Sequence, residues 1–275
     1  MAAFDLVDDW QAPDAAVGVV GGRDRRVLAT RGDTGRPSRW ASITKPVSAL
    51  ATLVAVEEGS VDLDEPAGPP GATVRHLLAH ASGLTFAQPR ILARPGRIRI
   101  YSNIGYELLG QVVAKRTAMP FYAYLSEAVL EPLGMAGTRL EGTPAAGLVG
   151  PLDDLLRLGA ELLSPTLVSP ATFELATTVA FPGLNGVLPG FGRHAPEDWG
   201  LGFELRKDKS PHWTGHHNSP ATFGHFGGSG SFLWVDPTIG LACAALSRRE
   251  FDEWTFTAWP NFSDAVIAEF GGGSD

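Results

Sequence analysis

Strand-forming runs at both ends of the chain enclose a middle with helical periodicity, and that order limits the folds open to it. Near the start, Ala15-Ala-Val-Gly-Val-Val20 and Arg26-Val-Leu-Ala-Thr30 flank the turn Gly21-Gly-Arg-Asp24. Two β-branched runs about a Gly-rich turn read as a hairpin. After about Trp199, residues 200–206, 230–236 and 240–247 read as strands joined by Gly, Pro and Asp turns. In between, Val47, Leu50, Ala51 and Val54 fall at i, i+3, i+4 and i+7, the stripe of an amphipathic helix. Further helices are predicted over 73–81 with Thr73 as cap, over 104–116, 121–130 and 152–163, and over 262–270 with Ser263 as cap. The expected fold class is α/β: an antiparallel sheet built from both termini and flanked by helices, with an inserted, mainly helical lobe. Residues 1–40 and 196–275 make the sheet lobe and 41–195 the helical lobe of a single domain.

The 275 residues suffice for a large core, and an apolar share of 44% with 19% charged residues places the chain among globular proteins. A net charge of −8 argues against nucleic acid or an anionic membrane surface as partner. The one cysteine, Cys243, lies in Leu241-Ala-Cys-Ala-Ala-Leu246; it excludes an internal disulfide and a cysteine metal cluster and reads as buried filler. The first ten residues carry acids where a secretory signal needs bases, and no apolar run nears the roughly 20 residues that span a bilayer. The expectation is a soluble, cytoplasmic protein, with its oligomeric state left open.

Chemistry concentrates in three short stretches. Ser42 and Lys45, in Trp40-Ala-Ser-Ile-Thr-Lys-Pro46, are three apart, so a helix puts both side chains on one face. A hydroxyl needs a base to take its proton, and an amine kept from water can be that base. Tyr101-Ser-Asn103 offers a phenol that shuttles a proton if a cation such as Lys45 lowers its pKa, and an amide that can hold Lys45 and a substrate. His225-Phe-Gly-Gly228 stands as a Gly-rich turn just before the 230–236 strand. Glycines there let a substrate lie against the strand edge and leave a backbone N–H for a developing oxyanion.

In that order, Ser42-Ile-Thr-Lys45, Tyr101-Ser-Asn103 and His225-Phe-Gly227 resemble the three motifs of the serine β-lactamase and penicillin-binding-protein superfamily. The tyrosine makes the chain similar to the class C branch, with its esterases, D-aminopeptidases and DD-carboxypeptidases. Glu57-Glu-Gly59, Leu63-Asp-Glu-Pro66, Leu77-Leu-Ala-His-Ala-Ser-Gly-Leu84, Pro95-Gly96 and Trp234-Val-Asp-Pro237 extend the resemblance over roughly residues 15–265. It implies a β-lactamase/transpeptidase-like fold, one catalytic domain, and acyl transfer through an acyl-enzyme. Ser42 would be the nucleophile, with Lys45 and Tyr101 as its base system. Asn103 would orient Lys45 and the substrate, and His225 and Gly227 would line the strand side of the cleft. The amides of Ser42 and Gly228 would form the oxyanion hole; no cofactor or metal is implied.

His225 stands where β-lactamases and DD-peptidases usually carry lysine, and a neutral imidazole anchors a carboxylate less well than an ammonium. That departure, with the expected location, shifts the expected substrate from a lactam toward a small carboxylic ester or amide. Activity on β-lactams or D-Ala-D-Ala peptides, and a non-catalytic ligand-binding relic, are the alternatives. His212, His216, His217 and His225 crowd one region, but Pro211, Gly215 and Pro220 deny them a helix, so they read as loop histidines rather than a zinc site. His76 and His80 read as core. Gly227-Gly-Ser-Gly-Ser231 misses the nucleophile elbow at its last position, which leaves Ser229 without that role. Arg90, Arg94, Arg97 and Arg99 read as a solvated basic loop; the sharper alternative has one of them bind a substrate carboxylate.

Overall fold

The apolar runs at the two ends become strands of one sheet. The computed structural model describes residues 2–22 and 24–272, so Arg23 of the hairpin turn lies outside the described residues. The strands are β1 Ala16–Gly21, β2 Arg26–Arg31, β3 Ser38–Arg39, β4 Arg139–Leu140, β5 Leu148–Gly150, β6 Gly186–Leu188, β7 Gly192–His194, β8 Glu204–Leu205, β9 Phe223–Gly227, β10 Ser231–Asp236 and β11 Leu241–Leu246. The α-helices are α1 Thr44–Glu57, α2 Val74–Leu78, α3 Asn103–Thr117, α4 Phe121–Leu125, α5 Leu152–Leu163, α6 Pro170–Thr177 and α7 Thr255–Phe270. A 3-10 helix, Ala3–Trp10, precedes β1, and another, Ala41–Ile43, runs straight into α1.

The main sheet has the order β2-β1-β11-β10-β9-β8 with every neighbour antiparallel, so N-terminal strands pair directly with C-terminal ones. Its side chains alternate between two cores. Leu233, Val235, Ala242 and Ala244 face α1 and α5, while Phe232, Trp234, Cys243 and Ala245 face α7 and the N-terminal 3-10 helix. A sheet covered on both faces reads as unbroken apolar runs rather than as an alternating pattern. The α/β class expected from the sequence is the class observed. Among the described residues no helix is long and apolar enough to cross a membrane.

Three segments differ from expectation. Of residues 200–206 only Glu204 and Leu205 pair as strand. Gly202, at φ +99°, crosses α1 so closely that a Cβ would stand 2.1 Å from Ala49 Cβ, and the chain wraps instead of extending. The closing helix begins at Thr255, not 262, and runs through Pro260. An interior proline costs about 3 kcal/mol; Trp259 and Phe262, wholly buried against Trp10 and Phe232, offset it. Ser263 is therefore no cap: its Oγ accepts a bond from Trp234 Nε1 at 3.0 Å. Finally, His225-Phe-Gly227 is not a turn before a strand but part of β9, paired with β10.

Candidate active site

The residues ahead of Ser42 are fixed before Ser42 itself is. Trp40 is fully buried and donates from Nε1 to Gly150 O at 3.0 Å. Ala41 takes φ +47°, uncommon without glycine, and its carbonyl accepts from Thr44 Oγ1 at 2.7 Å. This tight turn presents Ser42, half-buried, at the first turn of the helix pair, where backbone amides lack intrahelical acceptors.

One turn on, Lys45 is buried completely. Its Nζ donates to Asn103 Oδ1 at 2.7 Å and to Ala145 O at 2.9 Å, and stands 3.3 Å from Ser42 Oγ. Desolvation by this burial pushes its pKa well below the ordinary lysine value. A neutral amine has two N–H groups and one lone pair. Asn103 and Ala145 take both N–H groups, which leaves the lone pair for the Ser42 hydroxyl. The carbonyl of Ala145 reaches Lys45 because Ser48 Oγ donates to Pro144 O (2.7 Å) and Leu148 N to Thr44 Oγ1 (3.0 Å), fastening that loop to α1.

Tyr101 and Asn103 bracket Ser102, the N-cap of α3, whose Oγ accepts from Gly105 N at 3.0 Å. The segment 80–86 holds this entrance from outside the helix. Ile100 N donates to His80 O (2.9 Å), Ser102 N to His80 Nδ1 (3.1 Å) and Asn103 N to Phe86 O (2.8 Å). Lys45 Nζ lies 4.5 Å from the centre of the Tyr101 ring. The phenol does not acquire the lowered pKa expected beside a cation. Burial raises it, only partly opposed by contact with the Ser42 hydroxyl, because Lys45 is itself held toward its neutral form.

His225 closes the cleft from β9. Its Nδ1 donates to Phe226 O at 2.6 Å, so its Nε2 carries a lone pair, and that atom is 3.4 Å from the Tyr101 hydroxyl. Burial and the neighbouring Lys45 depress its pKa to about 3. Gly227 packs so tightly that a Cβ would stand 2.4 Å from Trp40 O and 3.1 Å from Ala41 Cβ. Gly228 beside it is exposed, with open space where a Cβ would be. The turn is strapped to the residues before Ser42: Ser229 Oγ donates to Arg39 O at 2.7 Å and Ser231 Oγ to Trp40 O at 2.9 Å. Ser229 thus has a structural partner and points away from nucleophilic work.

The geometry brings Ser42, Lys45, Tyr101, Asn103 and His225 into contact with one another, with Gly227 packed on Trp40 and Ala41 and Gly228 exposed beside it. Sequence reasoning missed the Ala145 carbonyl, which carries no side-chain signal, and the clamp by His80, which had read only as core. Other readings shift. His212 lies in a loop, as expected, but is buried, its Nε2 2.9 Å from Glu204 Oε2, in a cluster with Lys209 and Glu197. His216 and His217 are exposed beside Asp264. Arg99 is buried rather than solvated, and its guanidinium donates to the main-chain carbonyls of Glu197, Ala79, Ala180 and Phe181.

The chain is 52% identical to a crystal structure of a β-lactamase from Mycobacterium bovis, with a TM-score of 0.96 over 98% of this chain and 100% of that one. The D-alanyl-D-alanine-carboxypeptidase/endopeptidase AmpH of Escherichia coli K12 is 26% identical over 198 residues, which cover 52% of this chain and 51% of AmpH. The chain spans about half the length of the curated relatives it matches. EstCE1, described as a hydrolase with promiscuous acyltransferase activity, shares the fold at 19% identity and a TM-score of 0.77, over 96% of this chain and 98% of that one. The sequence model of the family described as Beta-lactamase matches residues 3–262, and the chain belongs to that family.

Proposed function

We propose that the chain is a serine hydrolase that forms an acyl-enzyme on Ser42 and acts on small carboxylic esters or amides. The site lies between a sheet lobe of residues 1–40 and 196–275 and a helical lobe of 41–195. The observation that carries this reading is the environment of Lys45: buried, with Asn103 Oδ1 and Ala145 O at hydrogen-bond distance and Ser42 Oγ at 3.3 Å. Lys45 takes the Ser42 proton as Oγ bonds to the substrate carbonyl carbon, and the amides of Ser42 and Gly228 receive the oxyanion. As the carbon–leaving-group bond breaks, Tyr101, kept a phenol by burial, gives its proton to the departing oxygen or nitrogen and regains one from the Lys45 ammonium. Water then attacks the acyl carbon by the same route reversed and frees Ser42.

His225 supports an ester or amide over a lactam. Its cleft-side nitrogen accepts hydrogen bonds, so it cannot donate one to a ring carboxylate. The names of the relatives favour the second reading, hydrolysis of β-lactams or D-alanyl peptides. Short-chain p-nitrophenyl esters, D-amino-acid amides and nitrocefin, each run with wild type and Ser42→Ala, separate the two. The proposal expects ester turnover that Ser42→Ala abolishes and a fluorophosphonate adduct, read by intact mass, in the wild type alone. Near-normal ester turnover by Ser42→Ala would overturn it.

A further inference from the structure

The negative charge of the chain is unevenly spread. None of its 30 acidic residues falls between Glu65 and Glu107, a stretch that carries five arginines. Arg75 pairs with Asp64, and Arg99 is spent on main-chain carbonyls. Arg90, Arg94 and Arg97 are exposed, with no ion pair among the described residues. Two large aliphatic side chains stand among them, Ile91 at 53% and Leu92 at 57% exposure. Both line one shallow hollow with Arg94, Pro69, Pro70 and Pro95, so cationic and apolar surface share a face. The backbone holds them there. Leu84 and Ile91 form an antiparallel bridge, Leu92 N donates to Gly83 O at 2.9 Å, and Thr85 N donates to Arg90 O at 2.9 Å. Gly83, at φ +83°, lets the returning chain come so near that a Cβ would stand 2.0 Å from Ala93 O. Adjacent apolar side chains on a fastened loop cannot fold back from water, and such a patch marks a contact surface.

The mixture of groups selects the partner. A polyanion would satisfy the arginines and leave Ile91 and Leu92 wet, whereas a purely apolar partner would strand three cations. A bilayer with anionic headgroups meets both needs at one depth, with phosphates for the arginines and the acyl boundary for the aliphatic pair. We propose that the loop of residues 88–97 docks on an anionic lipid surface, with Ile91 and Leu92 inserted between headgroups held by Arg90, Arg94 and Arg97. The net charge of −8 does not oppose this, because salt screens charges farther than about 8 Å from the surface. It instead keeps the acidic faces off the lipid and so fixes the orientation. The base of the loop is bonded to the catalytic entrance: Ser102 Oγ donates to Thr85 O at 2.7 Å and Asn103 N to Phe86 O at 2.8 Å. Docking therefore brings that side of the cleft toward the lipid–water boundary, where sparingly soluble esters and amides collect. Docking itself requires no turnover at Ser42.

Flotation of the whole protein with vesicles tests this, with phosphatidylcholine alone set against equal parts of phosphatidylcholine and phosphatidylglycerol. The wild type should float with the anionic vesicles only, and raised salt should weaken the association. The double variant Arg90→Glu/Arg94→Glu should lower the partition coefficient about thirtyfold or more. Ile91→Ser/Leu92→Ser should lower it about tenfold. Thermal unfolding of both should match the wild type, since the four side chains are exposed. Leu92→Cys carrying an environment-sensitive dye should brighten on anionic vesicles; Cys243 is buried and leaves the label to the new site. No flotation with anionic vesicles, flotation that both loop variants leave intact, or a dye that stays in water would each overturn the proposal. Loss in the arginine variant alone, matched by arginine-dependent binding of poly-glutamate, would overturn the lipid assignment in favour of an acidic polypeptide.

Discussion

His225 offers a direct measure of how strongly the cleft excludes charge. In the unfolded chain its imidazole titrates near 6.5, whereas in the fold burial and Lys45 hold it down to about 3. The folded pKa is depressed, so between those values the unfolded state binds more protons, and stability from this group is lost as pH falls. At 1.36 kcal/mol per pKa unit, the loss is about 2 kcal/mol by pH 5 and approaches about 5 kcal/mol by pH 3. His225→Gln keeps a neutral polar group of similar size but cannot gain the proton. Urea unfolding of both proteins at pH 7 and pH 5 isolates the effect, because every other titrating group is common to the two. The stability difference, wild type minus variant, should move by about 2 kcal/mol toward the variant at the lower pH. A kinetic corollary follows: kcat/KM should show no inflection near pH 6.5 from this residue. Parallel pH dependence of stability in the two proteins would refute the idea that folding holds the ring neutral.

Lys45→Met should cut kcat by several orders of magnitude, and the wild-type kcat/KM should rise with pH and level off well below the ordinary lysine pKa, since burial favours the free amine that accepts the proton. A plateau reached only near pH 10 would contradict a neutral Lys45. Ser231→Ala removes the strap from Oγ to Trp40 O and should lower kcat for p-nitrophenyl acetate more than it raises KM, because it loosens the Gly228 amide rather than substrate contacts. Lys209→Met leaves Glu204 and Glu197 buried without their cation and should cost about 3–5 kcal/mol in urea unfolding. Adding Glu204→Gln to it should recover part of that loss; no recovery would show that packing, not charge, dominates there.

How far the sequence reaches is clearest around α1. The spacing of Ser42 and Lys45 and the apolar stripe behind them are local, and α1 follows them within its own length. The Leu152–Leu163 helix is legible for the same reason, with Pro151 ahead of it and apolar residues at helical spacing. What local rules cannot see is where distant backbone arrives. The Ala145 carbonyl, the main-chain acceptors that consume Arg99 and the overlap of Gly202 with Ala49 are all set by tertiary contacts between segments far apart in the chain. The same blindness misjudged Tyr101. A lysine nearby in sequence logic is a cation, but one sealed from water is held toward an amine, and a neutral neighbour does not lower a phenol's pKa.

That reversal governs the whole cleft. Lys45, His80 and His225 are all buried, and desolvation is the first cause that lowers the pKa of each; Lys45 further lowers both histidines, so protonating one makes the next harder to protonate. The three buried bases are thus driven toward neutrality together. Reactivity then comes from a lone pair on Lys45 and from oriented N–H groups, which need no counter-charge in the substrate. An anionic group brought close to Ser42 would leave water without gaining a cation, a loss of several kcal/mol. The reacting carbonyl should therefore sit in an uncharged part of the substrate.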